Sequence, residues 1–155
     1  MSWAATRTKP SAACCAGRWR KRGTTLSDPV PGVAASLLVQ GKVLSHTSLS
    51  GDGEPRLHPT VQQFLDALPA AQREPFIGHC AESALVSDQF HALDQQRGDG
   101  RSTGLDEALP HFAGAAVVAR KIRPHGDPEH GTEADVCRSC SALLDRLGIA
   151  VLHDR

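Results

Sequence analysis

The sequence predicts an α/β fold, with helices packed around a mixed central sheet. Three observations point to it. Two β-friendly runs flank Gln40-Gly41, as the strands of a hairpin flank a tight turn. Apolar residues recur at helical spacing from Val61 to Leu68 and again from Ala81 to Leu93. The end of the chain reads strand, helix, strand between Ala115 and Leu152, the pattern of a crossover unit joining two parallel strands.

The elements follow in order. Pro29-Val30-Pro31-Gly32 precedes the first strand, Val33–Val39, and Lys42–Ser48 forms the second. Ser50–Pro55 is rich in Gly, Ser and Asp and reads as a loop. His58-Pro59-Thr60 opens the first helix, because proline lacks only an N–H that the first turn leaves unpaired anyway. Val61, Phe64, Leu65 and Leu68 form its apolar stripe, and Pro69 stops it. Ala70–Phe76 reads as a short extra turn. A second helix runs from Cys80 to about Gln96, ended by Arg97-Gly98-Asp99-Gly100. Asp106–Leu109 is a weak helical piece. Phe112–Ile122 holds the near-continuous apolar run Ala115–Ala119, which suggests a strand covered on both faces. Pro124–Thr132 is a loop, Cys137–Leu147 a third helix stopped by Gly148, and Ile149–Leu152 a last strand.

The chain has 155 residues, the length of one domain that buries roughly 70% of its unfolded surface. Its 17 basic and 17 acidic side chains cancel, which disfavours a broadly basic nucleic-acid wrapper. The cancellation is uneven. Residues 1–28 hold six basic side chains against one acidic, a net +5, and residues 29–155 carry the balancing −5. Residues 1–28 therefore read as a basic, disordered N-terminal extension, and residues 29–155 as the folded domain. No apolar run approaches the ~18 residues of a membrane span. The basic cluster Arg18–Arg22 is followed by polar residues rather than the apolar core of a signal peptide, so a cytoplasmic protein is expected. Five cysteines, an odd number, do not suit a disulfide scaffold, and Cys14 and Cys15 in the extension read as incidental.

The other three cysteines carry the chemistry. Cys80-Ala81-Glu82 and Cys137-Arg138-Ser139-Cys140 both fall at predicted helix N-termini. Unpaired N–H groups and the helix dipole favour a thiolate there, and the thiolate is the metal-binding form. Cys137 and Cys140 present two sulfurs from one helical turn, and Cys80 supplies a third ligand from another helix. Three protein ligands leave a tetrahedral zinc one open position for water. Glu82 sits beside that position without needing to bind the ion, where it can move protons. Three rival readings of the cysteines stand beside this one. Cys137-x-x-Cys140 is a redox pair; or the zinc is closed and structural, with His79, His125 or His130 as fourth ligand; or the cysteines are unrelated core residues.

The spacing is that of the zinc deaminase signature. Gly78-His79-Cys80-Ala81-Glu82, Phe112-Ala113-Gly114 with the strand after it, and Cys137-x-x-Cys140 with Leu143–Gly148 resemble the YwqJ-like deaminases of bacteria, a family of the cytidine-deaminase-like superfamily. The resemblance covers about Val33 to Leu152 and implies a three-layer α/β/α fold with a mixed central sheet. It implies Zn2+ on Cys80, Cys137 and Cys140, and a hydrolase in which zinc-bound hydroxide attacks an amine-bearing ring carbon with Glu82 as proton shuttle. The substrate is then a nucleobase, nucleoside, nucleotide or nucleic-acid base. The −5 of the domain mildly disfavours long nucleic acids. A homo-oligomer is implied by the resemblance alone. The resemblance also places polar, substrate-holding groups on the second hairpin strand, among Ser45, His46 and Ser48, where alternation lets only one of His46 and Thr47 face a given pocket. Val136 stands where the family has proline, and the chain ends after its fourth strand where fuller members continue. The alternative to an enzyme is a non-catalytic, zinc-stabilised interaction module with the same fold.

Overall fold

The computed structural model describes residues 32–49 and 54–155. The expectation for residues 1–28, Cys14 and Cys15 included, lies outside the described residues, as does most of the loop expected at Ser50–Pro55.

Strands β1 (Val33–Val39) and β2 (Lys42–Thr47) form the hairpin, in antiparallel register with Leu37 opposite Leu44. Gln40 (φ 49°) and Gly41 (φ 70°) both take left-handed backbone, as a two-residue hairpin turn requires. Helix α1 spans Pro59–Asp66, α2 Ala81–Arg97, α3 Leu105–Ala108 and α4 Arg138–Leu147. Strand β3 is Ala116–Lys121 and β4 Ala150–Val151. The sheet has four strands in the order β2-β1-β3-β4. β1 pairs antiparallel with both β2 and β3, and β3 pairs parallel with β4 across α4. The sheet is therefore mixed, as expected, and the crossover from Ala115 to Leu152 is present.

One face of the sheet makes the core. Ala35, Leu37 and Val39 of β1 and Val117 and Ala119 of β3 are buried against Val61, Leu65, Leu85, Phe90, Leu143 and Leu147 of the helices. The opposite face carries Ala34, Ser36 and Leu38 of β1 and Ala116 and Val118 of β3, none of them fully buried, with Val43 68% exposed. Helices α2 and α4 pack on this face of the sheet, and α1 packs against both of them. The apolar run at Ala115–Ala119 is correspondingly not covered on both faces. Val117 and Ala119 are buried, whereas Ala116 and Val118 point to the open side and stay half-buried.

α1 starts in an unexpected way. His58, fully buried, is its N-cap: Nδ1 accepts from the Thr60 N–H at 3.1 Å, which leaves Nε2–H to donate to Asp94 Oδ2 at 2.7 Å. Asp94 also accepts from Thr103 N and Oγ1, and these bonds, with His58, hold its carboxyl down to about 2. The entry of α1 is tied in this way to the far end of α2. Among the described residues no helix is long and apolar enough to cross a membrane.

Phe90 is fully buried at the centre of this layer, with its ring 5.3 Å from His58 and 5.9 Å from Phe112. Phe90→Ala is expected to lower unfolding free energy by about 3–5 kcal/mol, measured by urea denaturation. A loss below about 1 kcal/mol would show that α2 does not depend on this contact.

Candidate active site and metal centre

The site forms where two helices begin. Cys80 is the N-cap of α2 and Cys137 the N-cap of α4, each in extended backbone. Although 57 residues apart in the chain, their Sγ atoms lie 3.4 Å apart. Cys140, one turn into α4 and buried, completes the trio, and the three sulfurs lie within 4.8 Å of one another. A tetrahedral ion with metal–sulfur bonds of about 2.3 Å spaces its sulfurs about 3.8 Å apart. The donors are therefore placed to converge on one ion. A set of three thiolates suits a borderline-soft divalent cation and not magnesium or calcium. Among the described residues no histidine or carboxylate ligand atom joins the group.

Protonation within the trio is shared unequally. Hydrogen bonds from the Cys140 and Cys80 thiols, then from the backbone N–H groups of Cys140 and Ser139, hold the Cys137 thiol down to about 3. The same bonds push Cys80 and Cys140 up, because each keeps its proton and donates a hydrogen bond to the Cys137 thiolate. Without a cation the trio is one thiolate flanked by two thiols. Its one negative charge sits at the positive ends of two helix dipoles.

Local packing sets these positions. Ser139, buried at the start of α4, donates to Gln72 O at 2.7 Å and accepts from Glu74 N at 3.0 Å. Arg138 pairs with Glu74 at 2.8 Å, and the pairing lowers the Glu74 carboxyl. These bonds anchor the segment following the 3-10 turn Ala70–Gln72 onto α4. Gly78, buried at φ 86°, turns the chain toward Cys80, and a Cβ there would meet Pro55 Cγ at 3.1 Å. Val136 is half-buried and packs on the core.

A partly enclosed cavity of about 310 Å³ opens beside the sulfurs. It is lined by Cys80 and Cys137, by Glu82 and Asp135, by His79 and Ser48, and by the apolar side chains of Val33, Leu49 and Phe76. Glu82, in the first turn of α2, is only 4% exposed. Burial pushes its carboxyl up, and the Cys137 thiolate adds in the same direction. The hairpin is fastened to this wall: Leu49 N–H donates to His79 O at 2.9 Å, and Val33 N–H to Ser48 Oγ at 3.2 Å.

The residues singled out in the sequence fare differently. Cys80, Cys137, Cys140 and Glu82 come together. His79 lines the cavity but is not grouped with the sulfurs. His125 and His130 are exposed loop residues, and His130 Nδ1 accepts from Arg123 N–H at 3.1 Å. Ser48 reaches the cavity. His46 faces the helical side, opposite Ala35, but lines a neighbouring cavity with Arg56 and Asp88; Ser45 and Thr47 face the open side of the sheet. Asp135 and Phe76 were not singled out. Asp135 stands two residues before Cys137, a position the motif itself marks as close to the site. Phe76 has no such signal, because it arrives only through the Ser139 and Arg138 bonds to its segment.

Two outcomes are expected of the metal centre. Because Cys80 and Cys140 are held protonated, loading one divalent ion releases two protons. Apparent affinity should then rise by up to about 100-fold per pH unit in the neutral range, read by chelator competition with Zn2+ as the probe. A slope near zero would mean that the two thiols do not ligate. Cys137→Ser should abolish stoichiometric Zn2+ binding, measured by metal analysis, and should lower the melting temperature of the Zn2+-loaded protein toward that of the metal-free one.

Comparison with known families places this geometry. The family model for the YwqJ-like deaminase matches residues 22–149, beginning within the basic N-terminal stretch and reaching the approach to β4. No curated protein and no solved structure matches the chain significantly. The match takes in both cysteine motifs, Glu82 and every described strand but β4, and the chain belongs to the YwqJ-like deaminase family.

Proposed function

We propose that the protein is a zinc-dependent hydrolytic deaminase acting on the amine-bearing ring of a nucleobase, nucleoside, nucleotide or nucleic-acid base. One observation carries this reading: two of the three clustered cysteines, Cys80 and Cys137, and the buried Glu82 line the same cavity. Cys80, Cys137 and Cys140 hold the ion. When bound, zinc lowers the pKa of a coordinated water to about 7 and so supplies the nucleophile at neutral pH.

Glu82 handles the protons. A carboxyl raised by burial is matched to proton transfer nearer neutrality than an ordinary glutamate. As a base it takes a proton from the attacking water. As an acid it gives that proton to a ring nitrogen and then helps the departing amine leave as ammonia. The net reaction consumes one water and replaces a ring C–NH2 by C=O. The apolar walls formed by Val33, Leu49 and Phe76 cover the flat faces of a ring and keep bulk water away from it.

Glu82→Gln keeps the size of the side chain and removes its proton traffic. Zn2+ content is expected to stay near one per chain, while ammonia release falls by at least about 100-fold across a panel of bases, nucleosides, nucleotides and oligonucleotides. If the wild-type protein binds one Zn2+ and releases no ammonia from any of them, the protein is instead a zinc-stabilised interaction module.

A further inference from the structure

The cavity beside the cysteines has a charge pattern that selects among the substrates just named. The inference that follows rests on the deaminase reading. Among the described residues, the charged side chains lining the cavity are Glu82 and Asp135, both carboxylates, and no lysine or arginine lines it. Three nearby cations are engaged elsewhere, and Arg56 lines the neighbouring cavity instead. Arg138 pairs with Glu74 at 2.8 Å, Arg123 donates to the carbonyls of Gly32 and Ile122, and Lys121 lies 3.7 Å from Glu129. The N-terminus of α4 at the site, otherwise a ready anion cradle, has its Cys140 N–H directed to Cys137 Sγ. Phosphate is most firmly bound by arginine or lysine, and among the described residues none lines this cavity.

The remaining lining fits a neutral aromatic ring. Phe76 is 49% exposed at the rim and offers a ring face for stacking. No hydrogen bond or ion pair within the described structure occupies the Asp135 side chain, which is free to accept from a substrate hydroxyl or amino group. The volume, about 310 Å³, lies at the small end of ligand pockets.

We propose that this site takes a phosphate-free substrate, a free aminated base or its nucleoside, and that Asp135 is the specificity-determining residue that repels phosphorylated forms. A phosphate of charge near −2 beside a carboxylate is disfavoured about tenfold even with water-like screening.

The test uses the full chain loaded with Zn2+. Equilibrium dialysis of the Glu82→Gln variant reads binding of cytosine, adenine, cytidine, adenosine, their 5′-monophosphates and a single-stranded oligonucleotide, and ammonia release by the wild type reads turnover. Bases or nucleosides are expected to bind about tenfold or more tightly than the matching monophosphates or the oligonucleotide. Asp135→Asn, added to that variant, should narrow the gap several-fold with Zn2+ content unchanged. Equal or tighter binding of the monophosphates or the oligonucleotide, with ammonia released from them, overturns the inference and leaves the deaminase reading standing. A gap unmoved by Asp135→Asn overturns the role of Asp135. Bound Zn2+ with neither binding nor ammonia release across the panel overturns the deaminase reading, and the inference falls with it.

Discussion

The site depends on the meeting of two helix N-termini. Cys80 and Cys137 cap α2 and α4, and their sulfurs stand 3.4 Å apart because the two helices share one apolar layer against the sheet. Leu85, Val86 and Phe90 of α2 and Leu143, Leu144 and Leu147 of α4 are all buried there. Each buried side chain of this kind contributes about 1.5–3 kcal/mol, so the layer supplies the free energy that holds the three sulfurs together. A sliding of either helix by one turn, about 5.4 Å, would separate the sulfurs beyond any single ion.

The electrostatics of the trio follow from that packing. Three thiols forced together do not ionise independently. One thiolate forms at Cys137, where neighbouring thiols and backbone N–H groups point at it, and its charge suppresses ionisation of the other two. A bound cation would draw off the remaining protons, which would link folding and metal loading at this site. Glu82 lies close enough for the same thiolate to raise its carboxyl. The cysteine trio and Glu82 thus share one electrostatic environment.

The cavity beside the cysteines is built from three separate stretches of chain. The open end of the hairpin supplies Val33, Ser48 and Leu49, the approach to α2 supplies Phe76 and His79, and the approach to α4 supplies Asp135. Short hydrogen bonds lock the stretches together, from Leu49 to His79 and from Ser139 to Gln72 and Glu74. The sheet face matters as well. Helices α2 and α4 pack on the face that carries Ala35, Leu37 and Val39, so both helix N-termini open on that side of the sheet.

Much of this was legible in the chain. The hairpin, the helix starts and stops and the final crossover rest on local signals: a Gln40-Gly41 turn, Pro59 at a first turn, Gly98 and Gly148 after last turns. The cysteine trio and Glu82 were readable because spacing within a helical turn, three residues for Cys137 and Cys140, is itself a geometric statement. Other features had no local signal. The apolar run in β3 suggested burial on both faces, because composition cannot tell a covered face from an open one. His58 looked like the residue before a helix, yet it is a buried cap bonded to Asp94, 36 residues away. The sequence by itself determined most of the secondary structure, the cysteine trio with Glu82 and the family, since these depend on residue type and short-range spacing. Only the tertiary structure decided which side chains wall the cavity, which of His46 and Ser48 reaches it, and that its charged lining is acidic, because those facts depend on long-range packing that brings three distant segments to one place.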